Sequence, residues 1–127
     1  MFNSFKKECH SGNKKIASSD LAFQNFGNLS LRINNEFFTI KPSGIDLNKV
    51  NFKDYPLVSL KHKKNKFKLK PSVDTDFHLE VYKNFENINC IVHTHSKYAT
   101  IWAQACKSIP NKGTTHSDYW LNDIPIT

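Results

Sequence analysis

The sequence predicts one α/β or α+β domain built around a mixed β-sheet. Stretches that alternate apolar and polar residues, typical of strands, are interspersed with stretches of helical periodicity. Asn, Gly and Pro residues separate these stretches at turn positions. The 127 residues suit one domain, and a composition of 39% hydrophobic and 23% charged residues is that of a folded protein. We therefore predict a single domain over 1–127.

In the N-terminal half, the sequence predicts a helix at residues 2–17, a β-hairpin at 29–40 and a short helix from Asn48. The first helix has one apolar face, although Gly12 and Asn13 weaken its middle. In the hairpin, two alternating runs flank the tight-turn pair Asn34-Asn35.

In the second half, the sequence predicts two further helices and three strands. Strands 56–60 and 66–70 would pair through a lysine-rich turn, followed by a helix from 74 or 75, a strand 88–93, a helix 98–105 and a loop 111–119. Asp74 or Thr75 can cap the first of these helices, and Ser96 the second. The buried face of the first is expected to contain Phe77, Val81, Tyr82 and Phe85.

The formal charge of +7 comes largely from the stretch 61–70. Such a run is compatible with nucleic-acid binding, but an exposed hairpin with alternating Lys side chains is the favoured interpretation, without a nucleic-acid partner. Positive charge also suits an anionic small substrate. No stretch is apolar enough for a membrane span, and the N-terminus does not have the pattern of a signal peptide, so we expect a cytoplasmic protein.

His93-Thr94-His95 is the most informative motif of the chain. Two histidines at i and i+2 on a strand point to the same face, and neutral imidazole is a common metal ligand. Asp74, at the start of the preceding helix, is a third candidate ligand. A helix packed antiparallel on its following strand would bring Asp74 to the histidine pair, giving an open metal site.

Two further groups of residues suit a phosphorylated ligand. Small polar residues lie at strand and helix junctions where backbone N–H groups can hold an anion, in 25–30, 41–44 and 71–72. Each taken singly also reads as an ordinary turn. The segment 113–119 carries His116, Asp118 and Tyr119, which suit acid/base chemistry but also a surface turn.

Together these segments resemble the motifs of the class II aldolase and adducin superfamily, and within it the branch of L-ribulose-5-phosphate 4-epimerases. The motifs that carry the resemblance are Phe26-Gly27-Asn28-Leu29-Ser30, Lys41-Pro42-Ser43-Gly44-Ile45-Asp46, Lys70-Pro71-Ser72-Val73-Asp74-Thr75, Ile91-Val92-His93-Thr94-His95-Ser96, Ala99-Thr100-Ile101-Trp102-Ala103-Gln104-Ala105 and Gly113-Thr114-Thr115-His116-Ser117-Asp118-Tyr119. Asp74 favours the epimerases, because the related L-fuculose-phosphate aldolases have a glutamate base there.

The resemblance implies a three-layer α/β/α fold with a central mixed, largely antiparallel sheet, and a homotetramer with sites between subunits. One Zn²⁺ per subunit would be bound by Asp74, His93, His95 and a histidine later in the family. The substrate, mainly its phosphate, would be held by Gly27, Asn28, Ser43, Gly44, Ser72 and Val73. Val73 replaces the serine often found there, so only its backbone N–H can contribute. Asp118 would be a catalytic acid/base, working opposite a tyrosine of the neighbouring subunit.

The implied reaction is zinc-dependent epimerisation of L-ribulose 5-phosphate to D-xylulose 5-phosphate at C4, by retro-aldol cleavage and aldol re-addition. The alternatives are a class II sugar-phosphate aldolase, such as an L-fuculose-phosphate aldolase, and an inactive remnant or binding module of the same fold. The resembling enzymes are longer, so the chain is expected to match their N-terminal portion, and 127 residues alone are expected to have impaired activity.

Overall fold

Residues 2–22, 26–61 and 67–127 are described by a computed structural model of the chain. The chain divides into two compact units, Met1–Thr94 and His95–Thr127. The first unit contains α1 (Phe2–Ala17), β1 (Asn28–Arg32), β2 (Phe37–Ile40), a 3-10 helix (Phe52–Asp54), β3 (Leu57–Ser59), α2 (Thr75–Asn84) and β4 (Cys90–His93). The second contains α3 (Lys97–Gln104) and α4 (Thr114–Tyr119).

The four strands form one sheet in the order β3-β2-β1-β4. Every strand pairing in the described part of the chain is antiparallel. β1 and β2 form the predicted hairpin, in which Ser30 lies opposite Ile40. On its other side β1 pairs with β4, so that Asn28 lies opposite His93. The α/β class with an antiparallel sheet is therefore confirmed.

The two faces of this sheet carry two separate cores. Alternate residues of β1 point to opposite faces. Leu29 and Leu31 pack on the α1 side, against a cluster of Cys9, Leu47 and Tyr55. The other face carries a cluster of Phe38, Ile40, Val58 and Tyr82, of which Tyr82 comes from α2. Within the first unit the sheet thus lies between α1 and α2, which is the predicted three-layer order.

Helix α1 is docked by the residues that weaken its sequence pattern. The buried Asn13 side chain donates to the Leu29 carbonyl at 3.0 Å and accepts from the Leu29 N–H at 2.8 Å. A side chain at Gly12 would approach the Leu29 side chain to 2.8 Å. The two residues therefore allow a close, hydrogen-bonded contact between the helix and β1.

Three of the sequence predictions on secondary structure are wrong, and one on burial is partly wrong. β3 pairs with β2. Residues 67–70, the described part of the predicted partner strand 66–70, form no strand, and residues 62–66 of the lysine-rich turn lie outside the described residues. The short helix lies at Phe52–Asp54 and not at Asn48. Residues 114–119 are helical, not a loop. Of the residues predicted for the buried face of α2, Tyr82 is buried and Val81 half-buried, whereas Phe77 and Phe85 are exposed and the buried His78 was not predicted.

The second unit is organised by polar contacts. Ile109 and Ile124 form an isolated antiparallel bridge. The Asn111 side chain donates to the carbonyls of Trp120 and Leu121 at 3.0 and 3.1 Å. None of the residues 95–127 is fully buried.

Among the described residues of both units, no helix has the length and apolar character that crossing a membrane requires.

We predict that Asn13→Ala lowers the free energy of unfolding by about 2 kcal/mol, because the N–H and the carbonyl of Leu29 both lose a buried partner. The matched control is Asn48→Ala at an exposed position, which is expected to change stability by less than about 0.5 kcal/mol. Urea denaturation measures both. Equal effects of the two substitutions would contradict the docking role of Asn13.

Candidate metal and anion site

Asp74 occupies the N-cap position of α2 but makes no side-chain bond to the helix. Its Oδ2 atom instead accepts hydrogen bonds from Asn28 Nδ2 at 2.5 Å and from His93 Nδ1 at 3.0 Å. An ionised carboxylate only accepts, so His93 carries its proton on Nδ1 in this contact. The side chain that would ordinarily cap the helix is turned towards the sheet.

The sheet explains why these three residues meet. Asn28 begins β1, His93 ends β4, and the antiparallel register places them directly opposite each other. Both therefore point to the face covered by α2, where Asp74 precedes the first helical turn. The side chains of His93 and Asp74 are 36% and 28% exposed, so an ion or small molecule can reach them from solvent.

Asp74 and His93 place side by side a carboxylate oxygen and an imidazole nitrogen, two atom types that bind zinc. Their 3.0 Å contact is a hydrogen bond through the Nδ1 proton, so a metal ion bound through Nδ1 would have to displace that proton. Among the described residues no group of three His, Cys, Asp or Glu side chains is arranged to hold a metal. His95, the third predicted ligand, is exposed and begins the second unit. Asp74 and His93 are thus adjacent as predicted, and metal ligation stays a prediction.

The predicted phosphate segments 41–44 and 70–72 lie side by side. Pro42 and Pro71 form a bridge. The Ser43 N–H donates to the Lys70 carbonyl at 2.8 Å, and the Ser72 N–H donates to the Lys41 carbonyl at 2.9 Å. Two segments nearly thirty residues apart in sequence therefore form one polar surface next to the start of α2.

Lys41 is a site residue that the sequence analysis missed. Its side chain is buried, and Nζ donates to the Gly27 carbonyl at 3.0 Å. Burial lowers the pKa of Lys41, and the nearby Asp74 carboxylate partly opposes this shift. A lysine before a Pro-Ser-Gly turn looks like any surface lysine in sequence. Its burial follows from the packing of 27–28 and 70–72 around it.

The other predicted residues are placed as follows. Gly27, Asn28 and Ser72 are buried, Ser43 is half-buried, and Gly44 and Val73 are exposed. Asn28 Oδ1 is buried and has no hydrogen-bond partner among the described residues. Asp118 is exposed on α4 in the second unit. The structure thus places Asn28 against Asp74 and Gly27 against Lys41.

The family model described as the class II aldolase and adducin N-terminal domain matches residues 8–127. The chain belongs to this family. The match runs through both compact units, and it confirms the resemblance inferred from the motifs.

Individual relatives support this family assignment. The chain is 40% identical, over 129 aligned residues, to a probable L-ribulose-5-phosphate 4-epimerase of Mycoplasma pneumoniae, and the alignment covers 100% of this chain and 53% of that protein. A solved L-fuculose 1-phosphate aldolase is 28% identical with a TM-score of 0.76, covering 85% of this chain and 51% of that one. An aldolase of the same name from Thermus thermophilus, 20% identical with a TM-score of 0.79, supports the fold; the match covers 100% of this chain and 64% of the other. The chain thus spans about half the length of the first two relatives.

We predict that Gly27→Ala is more damaging than Gly44→Ala. Both glycines have positive φ, 79° and 66°, so alanine is strained at either position. A Cβ at Gly27 would also lie 2.9 Å from the His93 carbonyl oxygen, whereas a Cβ at Gly44 would meet nothing within 4 Å. Gly44→Ala is expected to lower the free energy of unfolding by about 1 kcal/mol, and Gly27→Ala by at least about 2 kcal/mol. Urea denaturation of the two variants tests the difference, and equal losses would contradict the close contact at Gly27.

Proposed function

We propose that this chain provides the zinc and sugar-phosphate binding residues of an L-ribulose-5-phosphate 4-epimerase, which interconverts L-ribulose 5-phosphate and D-xylulose 5-phosphate. The observation that carries the proposal is the Asp74 carboxylate, which lies in hydrogen-bond contact with both Asn28 and His93. The 40% identity to a probable enzyme of this activity supports the substrate. His95 and Asp118 remain the predicted further ligand and acid/base group, and the homotetramer and cytoplasmic location remain predictions.

The substrate chemistry agrees with a metal site. C4 bears a hydroxyl and lies β to the C2 carbonyl, so its hydrogen is not acidic, and inversion proceeds by breaking and remaking the C3–C4 bond. A bound Zn²⁺ would act as a Lewis acid on the substrate oxygens. Asp74 and His93 would hold that ion. Asn28 would orient the Asp74 carboxylate through its Nδ2 bond.

The phosphate would lie on the surface formed by 41–44 and 70–72. The Ser43 and Ser72 hydroxyls would be its neutral donors, because the N–H groups of these two residues already bond to the Lys70 and Lys41 carbonyls. Lys41 would contribute a buried positive charge. A charge-assisted hydrogen bond in a partly desolvated site is about twice as strong as a neutral one. This arrangement favours a phosphorylated sugar over the same sugar without phosphate.

A class II aldolase is the second candidate. The structural similarity to an L-fuculose 1-phosphate aldolase, at 28% identity and a TM-score of 0.76, favours it. Both reactions use cleavage of the C3–C4 bond, between the carbons α and β to the ketose carbonyl, and the same metal and phosphate residues would serve either. The two differ in the product that leaves the site.

The proposal predicts that the chain binds Co²⁺, a spectroscopic substitute for Zn²⁺, and that Asp74→Asn or His93→Ala weakens this affinity at least about tenfold. Visible absorption of the bound Co²⁺ measures the affinity. Asp46→Asn, at an exposed turn outside the site, is the matched control and is expected to bind as the unchanged chain does.

Substrate specificity is tested with the Zn²⁺-loaded chain. L-ribulose 5-phosphate is expected to bind at least about tenfold more tightly than L-ribulose in calorimetry, because the phosphate gains charge-assisted hydrogen bonds. Formation of D-xylulose 5-phosphate supports the epimerase, and release of dihydroxyacetone phosphate from L-fuculose 1-phosphate supports the aldolase. Absence of metal binding, or equal binding of the two sugars, would contradict the proposal.

A further inference from the structure

We propose that His78 is a positioning residue, which holds the Asp74 carboxylate beside His93 through a ladder of polar contacts between β1 and α2. The β1–α2 ladder consists of Asn28, Ser30 and Arg32 on the strand and of Asp74, His78 and Tyr82 at the start and along the face of the helix. The consequence for metal binding rests on the proposed function. The ladder itself rests on the contacts of the first unit.

The ladder has three rungs. Asn28 donates to Asp74 at 2.5 Å, Ser30 Oγ lies 2.7 Å from His78 Nδ1, and the Arg32 guanidinium donates to the Tyr82 carbonyl at 2.5 Å. The second and third rungs are joined, because the Tyr82 hydroxyl lies 2.8 Å from Ser30 Oγ and the Arg32 guanidinium lies 4.7 Å from the centre of the Tyr82 ring.

The spacing of the rungs matches the geometry of the two elements. Two residues along a strand advance by about 6.6 Å, and four residues along a helix advance by about 6 Å. Every second residue of β1 therefore meets every fourth residue of α2, and the two elements run in the same direction. A shift of one residue in either element would separate all three pairs at once, so the ladder fixes the register of the helix on the sheet.

The second rung is made by a neutral histidine. Burial lowers the pKa of His78 to about 4; the Asp74 carboxylate opposes this shift and His93 adds to it, so the ring is uncharged at pH 7. In the arrangement that uses each hydroxyl proton once, Tyr82 donates to Ser30 and Ser30 donates to His78 Nδ1. The ring proton is then on Nε2.

The burial of His78 is costly for stability. The residue is 0% exposed, and Nε2 has no hydrogen-bond partner among the described residues. An unsatisfied buried polar group costs about 1–3 kcal/mol, and an apolar side chain on this helix face would avoid that cost. A polar side chain kept where packing favours an apolar one is expected where it serves a site.

The role of His78 follows from its distance to Asp74 along the helix. Asp74 forms no cap bond, so the start of α2 is not fixed by its own N-cap side chain. The His78 N–H donates to the Asp74 carbonyl at 3.0 Å, in the first turn of the helix. The bond from His78 to Ser30, together with the bond from the Thr75 hydroxyl to the Ser72 carbonyl, therefore fixes the backbone from which the Asp74 side chain reaches Asn28 and His93.

The test compares Co²⁺ affinity in variants of the second rung. Ser30→Ala and His78→Leu remove the rung and are expected to weaken Co²⁺ binding by about 10- to 100-fold, as loss of an outer partner of a metal ligand does. His78→Asn retains an acceptor near the position of Nδ1 and is expected to recover most of that affinity. Thermal unfolding confirms that each variant is folded, and Ser30→Ala is the mildest change.

The matched control is Cys9→Ala, which removes a fully buried side chain on the opposite face of the sheet. It is expected to lower the unfolding temperature while leaving Co²⁺ affinity unchanged within about threefold, because it touches no rung. Unchanged affinity in both Ser30→Ala and His78→Leu would overturn the proposal. So would a loss of affinity in Cys9→Ala equal to theirs, which would indicate a general effect of stability.

A metal-free measurement separates this proposal from the proposed function. The side-chain amide resonances of Asn28 report its bond to the Asp74 carboxylate. The spectrum of Asp74→Asn provides the reference, because it shows where these resonances lie when residue 74 carries no charge. They are expected to move towards this position in Ser30→Ala and His78→Leu, and to stay unchanged in Cys9→Ala. If the unchanged chain binds no Co²⁺ but these shifts occur, the proposed function fails and the ladder stands. If the resonances do not move in Ser30→Ala and His78→Leu, the ladder is wrong.

Discussion

The contact of the Asp74 carboxylate with Asn28 and His93 is the interaction on which the rest of the site depends. It joins the start of β1, the end of β4 and the start of α2 at one oxygen atom. Three elements distant in sequence can meet there because β1 and β4 pair in a register that places Asn28 opposite His93. Because the Asp74 side chain makes this contact, it forms no N-cap hydrogen bond to α2. A group that would stabilise α2 locally is thus used to build a site between layers.

The two faces of the sheet in the first unit differ in the residues that they bury. The α1 face is closed by Cys9, Leu47 and Tyr55 and by the Asn13 contact to β1. The α2 face combines an apolar cluster, further along the sheet, with the polar β1–α2 ladder. Alternation along β1 makes this possible, since Leu29 and Leu31 point to one core while the polar residues between them point to the other layer. The site is therefore carried by regular elements and held in register by them.

The local sequence pattern correctly predicted the helices and strands whose formation depends mainly on neighbouring residues. Helix α1, the β1–β2 hairpin and the existence of α2, β4 and α3 are present near their predicted bounds. The buried face of α2 could not be predicted in this way, because Phe77 and Phe85 look like core residues until β1 presents polar partners to His78. β3 was matched to the wrong strand for a similar reason, since pairing between strands distant in sequence leaves little trace in either one.

The same distinction holds for the site. Asp74 and His93 were predicted to be neighbours from the order of helix and strand, and the structure places them together. Lys41 was missed, because only the meeting of 27–28 with 70–72 buries it. The most direct test of the proposed metal site is anomalous diffraction at the zinc edge from crystals of the Zn²⁺-loaded chain. We expect an ion about 2.0–2.2 Å from an oxygen of Asp74 and a nitrogen of His93. An ion bound elsewhere, with these two side chains still bonded to each other, would contradict the proposed site.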